Sequence, residues 1–137
     1  MDLLDHLRRM ARNNLWSNDR LYSAVLQLEP GEFEAERTSF FPSIKATLNH
    51  ILAVDHLSAH DLDRRVVTDR REDGKIPERI GDLLAHLFTH DIHHRGQVHA
   101  MLSGTSVKPP QLDEFFLDYD LKLRKAEVER LAIDGGN

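Results

Sequence analysis

The sequence predicts an all-α helical bundle, and three observations predict it. Apolar residues recur at three- and four-residue spacing along four stretches of the chain. Breakers are few, with 7 Gly and 5 Pro in 137 residues, and most of them fall between or at the ends of those stretches. Strand-like alternation is nearly absent, and 40% apolar with 30% charged residues fits a helix-rich globular chain. Residues 1–137 read as a single domain, a length that buries one core without disulfides or metal staples.

From Asp2 to about Leu28, the residues Leu3, Leu7, Met10, Leu21, Val25 and Leu28 form the stripe of an amphipathic helix, which "LEPGEFE" stops at Pro30-Gly31. "SFFPS" is a breaker, and Ser43 is placed to cap a second helix whose apolar face is Ile44, Thr47, Leu48, Ile51, Val54 and Leu57. "DLDRRVVTDRREDGK" reads as a loop or a short hairpin turning at Asp73-Gly74. Pro77 suits the first turn of a third helix, which runs to about Ser103 and stops at Gly104. After the linker "TSVKPP", residues from about Gln111 to Ile133 have a helical pattern, with Leu112, Phe116, Tyr119 and Leu123 as one stripe.

Composition excludes several classes. The chain has no cysteine, so disulfides and thiolate–metal sites are ruled out. A net charge of −5 argues against nucleic acid as a partner. No run approaches the roughly 20 apolar residues of a membrane span. "MDLLDHLRRMARNN" lacks a signal peptide's apolar run, so a cytoplasmic location is expected.

The chemistry concentrates in "HLFTHDIHHRGQVH", where five of the 9 histidines occupy fourteen residues. At about 100° per residue, His86, His90 and His94 form one stripe that Gln97 extends, with His93 on its flank and His99 on the opposite side. Two imidazoles at i and i+4 can reach one ion at roughly 2 Å, but a third ligand must come from a facing helix. His50 is the candidate, because its face, shared with Ala46, Val54 and Leu57, should turn inward. The competing reading has these rings hydrogen-bonded in the core with no metal. Gly96 costs about 1 kcal/mol in mid-helix, which suggests close approach of another helix. Gln97 could orient a ligand or face solvent. Arg95 is expected in a salt bridge to a neighbouring helix, and Trp16 as a core anchor or a pocket wall.

"NLWSNDRLYSAVLQL", "FFPSIKATLNHILAVD", "LLAHLFTHDIHHRGQVHAML" and "VKPPQLDEFF", in this order over most of residues 3–118, resemble the DinB/YfiT-like family of metal-dependent proteins. The most specific element is His90-x-x-x-His94-Arg95-Gly96-Gln97, preceded by Asn49-His50. The resemblance implies a four-helix bundle with a divalent ion, nickel or zinc, held by His50, His90 and His94, with His86 and His93 as neighbours. It also implies a low-molecular-weight thiol as partner and thiol S-transferase chemistry on electrophiles, in detoxification or stress response.

The chain departs from that family in one respect. Only 26 positions separate Ile51 from Pro77, so the bundle looks shortened by one helix between the NH helix and the HxxxH helix. An apolar flank would then face water. A homodimer that covers the gap is the favoured remedy. The alternative is fold-back of the C-terminal helix, residues 110–137, which is longer than the family's usual ending. Two other functions stay open: a non-catalytic metal-binding stress-response bundle, and a metal-dependent hydrolase. Hydrolysis fits less well, because Asp55 and Asp91 are read as turning away from the ligand faces.

Overall fold

A computed structural model describes residues 2–52 and 62–133, without the side chains of 49–52. Four helices are present among them: α1 (Leu3–Val25), α2 (Ile44–Leu52), α3 (Ile80–Leu102) and α4 (Leu121–Arg130). Two strands, β1 (Arg65–Asp69) and β2 (Lys75–Arg79), pair between α2 and α3. The protein is therefore mostly helical, and the all-α expectation fails at this one antiparallel hairpin.

Local signals account for most element ends. Asp2 caps α1 by accepting the Asp5 N–H at 2.8 Å. Ser43 Oγ accepts the Ala46 N–H at 3.1 Å and starts α2 as the sequence indicates. Pro77 departs from expectation: it lies in β2 opposite Val67, and α3 begins only at Ile80. The hairpin supplies the reason. The Ile80 and Gly81 N–H groups, which a helix start leaves without partners, bond to the carbonyls of Arg64 and Leu62. Backbone pairing thus replaces the side-chain cap. The segment that matches Val54 and Leu57 of the second helix lies outside the described residues.

α1 and α2 both pack on α3. At one end Leu21, Ala24, Ile44, Leu48, Val98, Met101 and Leu102 form a buried cluster. At the other end Leu7, Ile80, Leu84, Leu87 and Phe88 form a second, with Leu62 and Val66 against it. Between the two, the buried face of α3 turns polar at Asp91, His94 and Arg95. Two apolar blocks therefore hold a polar layer at the middle of the bundle.

The C-terminal segment is less helical than its pattern suggests. Among its described residues the α-helix is confined to Leu121–Arg130, after a 3-10 turn at Asp118–Asp120, and Leu117, Tyr119, Leu121 and Leu123 are exposed. The reason is that individual anchors hold the chain ahead of α4. Arg124 donates to the carbonyls of Glu114 and Leu117 at 2.9 and 3.0 Å, and its guanidinium lies over the Phe115 ring. Residues 111–117 are thereby pinned in a non-helical path. α4 itself folds back onto α1, where Trp16, Phe115, Val128 and Ile133 make a third cluster. Glu127 accepts from Trp16 Nε1 at 2.7 Å and from Arg20 at 2.9 Å, and Arg130 pairs with Asp19. On another side of α1, a largely apolar groove of about 460 Å³ runs beside α3, lined by Leu4, Leu7, Leu15, Leu84 and Phe88.

One loop contact has a pH signature. Glu32 accepts from the Ser106 hydroxyl at 2.6 Å and its N–H at 2.8 Å. These bonds hold the Glu32 carboxyl below its ordinary value of 4.5. A depressed carboxyl contributes stability above its unfolded value and loses it as pH falls through the folded value. Replacing Ser106 with alanine should move the Glu32 carboxyl titration upward, read by carbon-13 NMR. An unmoved titration would show that the Ser106 hydroxyl has no part in the shift.

Candidate metal centre

The polar layer of α3 brings two of the three expected histidines together. His90 and His94 lie one turn apart, and their rings meet edge-on with centroids 4.3 Å apart. Their Nε2 atoms are 3.1 Å from each other. Two imidazole nitrogens at about 2.05 Å from one ion, at angles of roughly 90–109°, are separated by about 2.9–3.3 Å. The observed spacing falls inside that window.

The far side of each ring is set by a different neighbour. His94 Nδ1 lies 2.6 Å from Gln97 Oε1, and Gln97 Nε2 lies 3.3 Å from His93 Nε2. With the Gln97 amide nitrogen donating to His93, its oxygen accepts from His94 Nδ1–H, and the His94 Nε2 lone pair faces His90. Asp91 Oδ1 lies 3.8 Å from His90 Nδ1, and the carboxylate is fully buried. A negative charge on that side favours the proton on Nδ1 and the lone pair on Nε2. Both lone pairs then point at one location, where they repel unless a cation sits between them. The donor set fits a borderline divalent ion, and the Gln97 and Asp91 contacts resemble the outer partners that orient metal-bound imidazoles.

The third expected ligand sits on the right helix. His50 is in α2, which packs on α3, but its side chain lies outside the described residues. The inward face of α2 is Ile44, Thr47 and Leu48, whereas Ala46 is only half-buried. The buried residues are those the sequence assigned to the apolar face, and Ala46, grouped with His50, lies at its edge. Position 50 follows the fully buried Thr47 by three residues, about 60° around the helix. Among the described residues, no group of three or more His, Cys, Asp or Glu is placed to hold an ion.

Several neighbours were legible only in part. Asp91 does not turn away as expected; it is buried behind His90. It nonetheless faces the Nδ1 side of that ring, away from the Nε2 point, which is the wrong place for a base acting on a ligand there. Asp55 lies outside the described residues. Phe41 supplies a wall, its ring 5.5 Å from that of His94, although its segment read only as a breaker. Arg95 is buried and donates to Asn14 and to Asn18 Oδ1, the latter at 3.1 Å. The expected interhelical contact is there, with amide oxygens as acceptors. His86 and His93 are exposed on the rim, and His99 pairs with the Pro110 carbonyl at 3.0 Å.

The sequence model of the DinB family matches residues 3–64 and 57–124, nearly the whole chain. The chain belongs to the DinB family. The two DinB segments overlap at residues 57–64, between α2 and the hairpin, where the sequence suggests a missing helix. No curated protein and no solved structure matched the chain. Among the described residues, no helix is long and apolar enough to cross a membrane.

Proposed function

We propose that this DinB protein is a divalent-metal-dependent enzyme of the thiol S-transferase type, with nickel or zinc held by His50, His90 and His94. The observation that supports it most is the 3.1 Å approach of two Nε2 atoms whose other nitrogens face Gln97 and Asp91. Three neutral nitrogen ligands would leave coordination positions open, and an ion there would favour the thiolate form of a bound low-molecular-weight thiol. The chain's own groups have distinct roles. Gln97 orients His94, Asp91 fixes the tautomer of His90, and the Phe41 ring shields one side of the site from water. No carboxylate among the described residues is placed to act as a base at the Nε2 point, which is why transfer is favoured over hydrolysis.

Turnover of a panel of low-molecular-weight thiols with an electrophilic dye tests this reading. A metal-dependent rate lost in His94→Ala supports it. Stoichiometric metal without any such rate overturns the transferase reading and leaves a non-catalytic metal-binding bundle. Protein purified without a histidine tag that takes up no divalent ion overturns both. A homodimer remains part of the proposal, and light scattering at micromolar concentration decides it.

A further inference from the structure

The face of α3 opposite the histidines has its own features, and the metal proposal uses none of them. Ile92, Gly96 and His99 share one stripe there, turned about 200° from His90 and His94. They floor a mostly apolar groove of about 430 Å³, which Asn13 of α1 and Leu112 and Phe116 of the 111–117 segment complete. Gly96 is not required by packing: a Cβ at that position would meet nothing within 4 Å. The expected close helix approach is therefore absent, and a residue that weakens the helix instead leaves a strip of bare backbone open to the groove. Phe116 and Ile92 are 39% and 49% exposed, an apolar pair flanking that strip.

Asn13 is the second, independent feature. Its side chain lines the same groove while being only 6% exposed. Its amide has no hydrogen-bond partner among the described residues. Its polar atoms are reached from the groove rather than sealed in the core, so a ligand there can meet both its donor and its acceptor. His99, by contrast, is engaged through Nε2 with the Pro110 carbonyl.

We propose that this groove binds a small, neutral, flat aromatic molecule carrying an amide-like edge. The ring lies on the Gly96 backbone between Ile92 and Phe116, and a paired donor and acceptor on its edge meet the Asn13 carboxamide. Neutrality follows from the surroundings: the Asp113 carboxylate stands on the rim against anions, and Arg95 is already held by Asn14 and Asn18. The site does not depend on a metal ion, so its fate is separable from the function proposed above.

Titration of the nitrogen-15-labelled full chain with benzamide, followed by amide NMR, tests the proposal. The expected result is saturable shifts centred on Asn13, Ile92, Gly96, His99 and Leu112. N,N-dimethylbenzamide, which lacks the donor, should bind about tenfold more weakly. Gly96→Leu should melt at a higher temperature, as a better helix former, and lose benzamide binding altogether. Shifts that fail to saturate, map to another face or survive in Gly96→Leu would overturn the proposal. Equal binding of the two amides would overturn the role of Asn13.

Discussion

His94→Ala is expected to weaken zinc or nickel binding by more than about 100-fold, since loss of an outer partner alone typically costs 10–100-fold. His94 is the right target because it is buried and both its nitrogens are engaged, one with Gln97 and one with His90. Gln97→Leu keeps the ligand but removes its orienting oxygen, and should cost about 10–100-fold. The stability effect separates the loaded from the empty protein. An ion at 100 times its dissociation constant adds about 2.7 kcal/mol to the folded state. His94→Ala should forfeit that increment in the metal-loaded protein and change the metal-free protein much less. Calorimetric titration and paired melting curves read both quantities, and equal losses with and without metal would reduce His94 to a packing residue.

Trp16→Ala should cost about 3–5 kcal/mol, the largest loss expected from any single truncation of the core. Its ring is fully buried against Phe115, with centroids 5.6 Å apart, and packs with Val128 and Ile133. The same side chain ties α4 to α1 through Glu127. For a domain stabilised by about 5–15 kcal/mol, such a loss removes a large part of the margin. It should lower the melting temperature on the order of 15 °C and release the amides of Leu121–Arg130 to rapid hydrogen exchange. Trp16→Phe keeps one aromatic ring against Phe115 but gives up the N–H contact, part of the stacking with Arg20 and some buried volume, so its cost should fall at about 1–3 kcal/mol, below that of Trp16→Ala. Unchanged protection of α4 in Trp16→Ala would show that other contacts hold that helix.

How much of this was legible in the sequence depended on whether the cause was local. The span of α3 could be read closely at its C-terminal end, because the helical repeat runs unbroken up to Gly104. The Ser43 cap and the His90–His94 stripe could be read for the same reason. Pro77 misled because both the first turn of a helix and an edge strand tolerate its missing N–H. Only the distant pairing with Val67 distinguishes the two. The C-terminal stripe misled because Arg124 and Phe115 hold the preceding chain through contacts with no periodic signal. The inward turn of Asp91 was hidden as well: sequence spacing gives the angle between residues but not which faces of α3 its neighbours cover. Gly96 misled too: a Cβ there would meet nothing within 4 Å, so the close helix approach its presence suggested is absent.

The most direct test of the central claim is X-ray absorption on zinc- or nickel-loaded protein purified without a histidine tag, compared with the same protein carrying His50→Ala. The account predicts three imidazoles around the ion, with nitrogen at about 2.0–2.1 Å, and two after the substitution. A shell without imidazole scattering, or one that His50→Ala leaves unchanged, would contradict it.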